Sequence, residues 1–270
     1  MSLRYYTNLD GVRAIAALMV MLLHFFSEIE TPTRFLQILQ KLSIFGGTGV
    51  TLFFVLSGFL ITRILIHTKS DNHYFRPFFV RRILRIFPLY YFYLILFFYL
   101  TPLIVNTTRV SFENQLVYFL YLQNIAMTFH WPSMGPSHFW SLAVEEHFYL
   151  FWPFAVYFLS GKNLLRLTLF IIAFALGLRA YMVANSYEVF YFTLTRFDSL
   201  AFGALLAVLE TKDFFSSKNA KKFILVFFAL LVPTIILWTF ISGDANSMNQ
   251  IFKHLILSAI YFSVIGYVLS

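Results

Sequence analysis

Residues 9–25 read Leu9-Asp10-Gly11-Val12-Arg13-Ala14-Ile15-Ala16-Ala17-Leu18-Met19-Val20-Met21-Leu22-Leu23-His24-Phe25. This run is apolar except for Asp10 and Arg13 at its head and His24 near its end, and its reading decides the fold. At about 100° per residue, the eleven steps from Arg13 to His24 return to within roughly 20° of the starting direction. The two side chains therefore share one helical face, about 16 Å apart along the axis. With Arg13 at a membrane boundary, His24 is expected near mid-depth. Ionisable groups at that depth cost several kcal/mol and face a bundle interior or a wet cavity. The rest of the chain reads as the cavity around this pair.

Composition agrees. Of 270 residues, 60% are hydrophobic and only 12% charged, with a mean hydropathy of +0.76. That exceeds what a soluble core uses and identifies a polytopic helical membrane protein. Asp10 and Arg13 head the first run and no small-residue cleavage site follows it, so it does not read as a cleavable signal peptide. The chain has no cysteine, which excludes disulfides, zinc–thiolate sites and thiol nucleophiles. The net charge of +8 reflects basic cytoplasmic loops rather than a nucleic-acid partner.

Eight apolar segments are long enough to span, at 12–27, 44–66, 83–105, 139–159, 164–184, 189–209, 222–242 and 251–270. A ninth, 115–129, is shorter and holds Gln115, Gln123 and Asn124. Basic loops decide whether it crosses. Residues 63–85 carry six Lys or Arg against Asp71, and 210–222 carry Lys212, Lys218, Lys221 and Lys222. Both loops lie on the cytoplasmic side only if 115–129 does not span, and then most of the 20 Lys and Arg are cytoplasmic. The N-terminus is then cytoplasmic, and 106–138 is an external loop with a re-entrant or interfacial part. Gly161-Lys162-Asn163 and Ser242-Gly243-Asp244 read as turns between helices. The chain, 1–270, reads as one transmembrane domain, which either ends abruptly at a membrane surface at Ser270 or is incomplete there.

Five stretches carry candidate chemistry. His24, as a neutral imidazole, is a candidate general base for a hydroxyl, because histidine titrates near neutral pH. A boundary arginine that snorkels and a packed histidine would leave the same pattern as Arg13 and His24. In Phe45–Phe59, Gly46, Gly47 and Gly49 read as close helix contacts or an unwound turn, and Ser57-Gly58 as another close contact. A Ser57 nucleophile would need a base, and no residue near it in sequence supplies one. Arg82 and Arg85 lie three apart on one helical face, either as a headgroup anchor or as a phosphate clamp. Arg85 sits deeper than an anchor requires. Pro88 is expected to kink or loosen that helix.

The fourth stretch places His138, Ser141, Glu145 and Tyr149 on one face. Glu146 is about 100° away, and His147 about 200°. Two adjacent glutamates in an apolar helix need partners, and an arginine from elsewhere, Arg13 included, is expected to compensate for one. The spacing is not His-Glu-x-x-His and His147 points away from His138, so no metal site is expected. In the fifth stretch, Arg196 and Asp198 are two apart and do not face each other on a regular helix, so they pair with other helices or face substrate.

With these stretches in hand, the chain resembles the membrane-bound acyltransferase 3 family of bacterial O-acyltransferases. The motifs occur in order: LDGVRAIAALMVMLLH (9–24), GVTLFFVLSGFLIT (49–62), RRILRIFPLYY (81–91), HFWSLAVEEHFYLFWP (138–153) and RFDSLAFGALLA (196–207). The resemblance implies a ten-helix fold with both termini cytoplasmic, about two helices more than the eight counted here. It implies an acyl-CoA donor entering from the cytoplasm. It further implies that Arg13 and His24 match the arginine-to-histidine signature with His24 as catalytic base, that Arg82 and Arg85 lie near the donor, and that Glu145 and Glu146 match the family's paired glutamates. His147 stands where a glutamine is common and carries no role.

The function expected is an integral membrane O-acyltransferase of the bacterial inner membrane. It would move an acyl group, acetyl foremost, from acyl-CoA to a hydroxyl of a sugar, cell-envelope polysaccharide or lipid-linked glycan precursor. Arg13 or a backbone amide near Gly46–Gly49 would steady the oxyanion. His138, Trp140 and Ser141 are the candidate acceptor-side residues, although Trp131 and Trp140 also suit interface anchoring. Membrane lipids are the remaining partner. The rival is a transporter of small anions or polyprenyl-linked glycans, with the same buried charges lining a pathway.

Overall fold

The computed structural model describes residues 5–27, 33–105, 110–239 and 247–270. Among them every regular element is helical. α1 (Asn8–Ser27) leads to the short amphipathic α2 (Arg34–Ser43) and a 3₁₀ turn (Ile44–Thr48) into α3 (Gly49–His67). α4 (Phe75–Ile95) continues through a π turn (Leu96–Leu100) into α5 (Thr101–Val105). α6 (Phe112–Phe119) and α7 (Gln123–Thr128) precede a 3₁₀ turn (Ser137–Phe139) and α8 (Trp140–Phe158). α9 (Gly161–Ala184), α10 (Thr193–Glu210), α11 (Ser217–Thr239) and α12 (Ser247–Leu269) complete the order. Gly161-Lys162-Asn163 forms the first turn of α9 rather than a free loop, because Ser160 caps it from outside by accepting the Asn163 N–H. The turn expected at Ser242-Gly243-Asp244 lies outside the described residues.

Among the described residues, six helical runs are long and apolar enough to cross a membrane: Asn8–Ser27, Arg34–His67, Phe75–Val105, Gly161–Ala184, Ser217–Ile236 and Ser247–Leu269. The other two segments expected to span, 139–159 and 189–209, are helical as well, as α8 and α10. Their glutamates, arginine and aspartate lower the apolarity. α6 and α7 have 8 and 6 residues, far short of the ~20 that a crossing needs. They meet at a turn through Tyr121, at φ 57°, so 115–129 forms no single spanning helix.

The chain ends of several helices meet at one end of the bundle. Tyr6 donates to Glu210 (2.8 Å), which also accepts from Arg63 (2.6 Å). Lys69 donates to the Leu159 carbonyl (2.6 Å). The basic segments at 63–85 and 210–222 therefore share an end with the start of α1, as the basic-loop reading requires.

α3 is the axis of the bundle. It is apolar all round and buried at eleven positions, as a central helix should be. It touches α10 most closely through glycines. A Cβ on Gly58 would stand 1.9 Å from the Leu200 carbonyl oxygen, and one on Gly203 2.0 Å from that of Val55. Both obstacles are backbone, so neither side can yield by a rotamer change. In lipid, such close approach replaces hydrophobic burial as the adhesive between helices. Gly58→Val is expected to lower stability by about 1–3 kcal/mol or more, read as loss of monodisperse protein on detergent extraction. Unchanged extraction and melting would mean that the α3–α10 contact is loose.

Candidate active site

At the basic end, α3 and the start of α4 enclose a cleft of about 200 Å³. Ile61, Ile64 and Thr68 form one wall, and Arg81, Arg82 and Arg85 furnish the other with charge. The α4 residues lie there because Arg82 and Arg85 share a face and sit one to three turns inside the helix. The Arg82 guanidinium lies over the Tyr149 ring of α8, 4.2 Å from its centroid, a cation–π contact that orients its fork. Pro88 leaves α4 continuous as an α-helix to Ile95.

One turn deeper along the same face of α3, at i−4 from Ile61, is Ser57. Its hydroxyl donates to Glu145 at 2.6 Å. Ser57 thus has a carboxylate beside it after all. The partner comes from α8 across the bundle, which inspection of its sequence neighbours could not reveal. The charges of Arg82 and Arg85 both act on Glu145. The arginine expected from elsewhere is therefore supplied by α4 and not by Arg13. Glu146 turns away from Ser57, as the 100° step requires. One of its carboxylate oxygens is buried with no hydrogen-bond partner among the described residues, and its charge acts on Tyr90, Tyr91 and Tyr121.

The other end of the bundle holds His24. It lies in the last turn of α1, which runs from Asn8 to Ser27. Its imidazole meets that of His138 edge-on, with ring centroids 6.3 Å apart, and Tyr93 of α4 lies 6.4 Å beyond His138. Partial burial, with the neighbouring His24, pushes His138 below the ordinary histidine range. Arg13 sits about 16 Å from His24 along α1, in a 2.9 Å ion pair with Asp10. The structure thus joins His24 to His138 but not to Arg13.

His138 lies in the middle of the 3₁₀ turn before α8, and its carbonyl accepts from Ser141 at 3.3 Å. Trp140 is 7% exposed and packs among Phe54, Phe190 and Tyr191, so in this structure it serves the core. Trp131 is exposed beside Phe129. His147 hydrogen-bonds Thr193 at 2.8 Å, which fastens α8 to α10. Asp198 pairs with Arg179 of α9 at 2.7 Å, both fully buried, and Arg196 donates to Thr51 of α3 at 3.0 Å. Both find partners on other helices. Sequence reasoning missed Tyr93, Arg179 and the Ser57–Glu145 pair. Tyr149 was visible at i+4 from Glu145, but nothing in the sequence tied it to Arg82.

The family described as an acyltransferase domain matches residues 6–270. The O-acetyltransferase OatA of Staphylococcus aureus is 28% identical over 230 residues, 76% of this chain and 34% of that protein. The peptidoglycan O-acetyltransferase OatA of Listeria monocytogenes is 32% identical over 231 residues, covering 76% and 34%. The putative peptidoglycan O-acetyltransferase YrhL of Bacillus subtilis is 32% identical over 235 residues, covering 76% and 33%. The chain spans about a third of the length of these curated relatives. No solved structure matches it significantly.

Proposed function

Because this chain belongs to the acyltransferase-domain family, we propose that it is an integral membrane O-acetyltransferase that moves an acetyl group from an acyl-CoA donor to a hydroxyl of a cell-envelope glycan. Two of the relatives above are named for peptidoglycan, which makes a peptidoglycan sugar the leading acceptor. The observation that carries the reading is the arginine-lined cleft at one end of the bundle. Its Arg82 lies over Tyr149 of α8, Glu145 and Ser57 pair deeper in the bundle, and two imidazoles stand at the far end.

Guanidinium groups suit phosphate oxygens, so Arg82 and Arg85 hold the donor's phosphates. Tyr149, under Arg82, and His138, beside His24, are eleven residues apart on or next to α8. That is about 16 Å along the axis. A donor fixed at the arginines must cross this distance to reach His24, and the long pantetheine arm of a CoA thioester does so. His24 takes the acceptor's hydroxyl proton as the oxygen attacks the thioester carbonyl. The C–S bond then breaks, and the proton goes to the departing thiolate. His138 is placed to steady the oxyanion by hydrogen bonding. Arg13 pairs with Asp10 toward the opposite end of α1, about 16 Å from His24. Acyl-CoA is cytosolic, so the cleft end faces the cytoplasm and the N-terminus lies there, in a bacterial inner membrane.

Membranes carrying the chain, given labelled acetyl-CoA, are expected to release one CoA for each acetyl found on glycan. A transporter would consume no thioester, and that outcome refutes the reading. Arg82→Ala and Arg85→Ala are each expected to raise the acetyl-CoA KM about tenfold or more. Lysine should rescue only partly, because a point charge lacks the fork. A change confined to the acceptor KM would remove these arginines from the donor site.

A further inference from the structure

Behind the Gly46–Gly49 turn, a second cavity of about 90 Å³ opens between the start of α3, α10 and α12. Ile44, 54% exposed, stands at its rim, and Thr51, Arg196, Lys253 and His254 line it. Arg196 is 1% exposed and His254 6%. Of the five N–H groups of Arg196, one donates to Thr51. Its Nε and Nη1, and Nδ1 of His254, have no hydrogen-bond partner among the described residues. Buried polar nitrogens almost always have partners, yet here two side chains that line one small cavity, from two helices, each carry an unpartnered nitrogen.

The charges point the same way. Arg179 takes the Asp198 carboxylate and adds bonds to the Thr195 and Ile251 carbonyls at 2.6 and 3.0 Å. That leaves Arg196 without a carboxylate of its own among the described residues of this cluster. The rings of Phe54, Trp140 and Phe190 stand 5.5–5.8 Å from its guanidinium. Such faces contribute about 0.5–2 kcal/mol, less than the several kcal/mol of an unpaired buried charge.

We propose that this cavity is a carboxylate-binding site, with Arg196 as the charge partner and His254 as a second hydrogen-bonding side chain. A carboxylate is a monoanion with two acceptor oxygens, so it can take N–H groups from two sides at once. The cavity is smaller than the ~150 Å³ that holds a benzene ring, so it takes the carboxylate and not a sugar ring. Gly47 lines the cavity on one side, and a Cβ there would touch Leu23 at 3.3 Å, the neighbour of His24. The carboxylate is therefore that of an acidic saccharide acceptor, an identity that rests on the transfer reading above, or that of a free short-chain acid.

The test is thermal unfolding of the purified full chain with sodium acetate, against acetamide and against sodium chloride at equal ionic strength. An acetate-specific rise in melting temperature is expected, with apparent affinity weakened about tenfold or more in Arg196→Gln and in His254→Leu. His254→Leu carries the test if Arg196→Gln fails to fold. Glucuronate and glucose, which differ by one carboxylate, separate the sources. A rise with glucuronate but not glucose identifies an acidic saccharide, and a rise with acetate alone identifies a free acid. No acetate-specific rise, or an equal rise in the variants, overturns the site. These readouts need no catalysis, so a failed transfer assay leaves them decisive.

Discussion

Alanine at His24 is expected to slow acyl transfer by about 10²–10⁴ while leaving the acetyl-CoA KM unchanged, the range for loss of a positioned general base. The argument rests on where the residue lies. His24 occupies the last turn of α1, at the opposite end of the bundle from Arg82 and Arg85, so its removal does not touch the arginine cleft. Its neighbour is the His138 imidazole, which burial and His24 hold below the ordinary histidine range. His138 is thus uncharged at neutral pH and does not repel an imidazolium forming on His24. Glutamine at position 24 keeps some hydrogen bonding without proton chemistry and should be nearly as inactive. If the two histidines act as a unit, His24→Ala with His138→Ala will be little worse than His24→Ala alone. A His24→Gln enzyme that keeps most of its kcat would make His24 a packing residue, and the base would have to be sought at Glu145.

The helical membrane architecture was legible because it depends on sums over many residues. Apolar length located the helices, and the distribution of Lys and Arg argued against a crossing at 115–129, where α6 and α7 are each short of a span. Near-neighbour geometry was legible too. The 100° step between Glu145 and Glu146 sends one to Ser57 and the other toward the tyrosine cluster. Errors arose where a local rule was passed over. Asp10 and Arg13, three apart on α1, form their own ion pair, although periodicity alone allowed it. What no local rule could supply is contact across the bundle. Ser57 and Glu145 are 88 residues apart, and Tyr149 gains its meaning from an arginine on another helix. Such pairs are set by how the helices pack around α3, where glycines decide how close the backbones come.

Glutamine at Glu145 is expected to lower kcat by about 10²-fold, the lower end for removal of an essential ionisable group, without raising the acetyl-CoA KM. Glu145 lies between the arginine cleft and the histidine pair, seven residues and about 10 Å from His138 along α8. Its carboxylate accepts from Ser57 and feels Arg82 and Arg85. Glutamine keeps an oxygen for Ser57 but removes the charge. Arg82 and Arg85 then lose a nearby anion that competes with donor phosphates for the same cations, so donor binding holds or tightens while the chemical step slows. Glu145→Ala removes the acceptor as well and strands the Ser57 hydroxyl, which adds about 1–3 kcal/mol of destabilisation. Ser57→Ala should erase most of that extra loss, so a cycle over the two positions should return a coupling of about 0.5–3 kcal/mol. The split between kcat and KM is decisive. If Glu145→Gln leaves kcat intact and raises the donor KM as Arg82→Ala does, the carboxylate merely orients the phosphate clamp and takes no part in the transfer step.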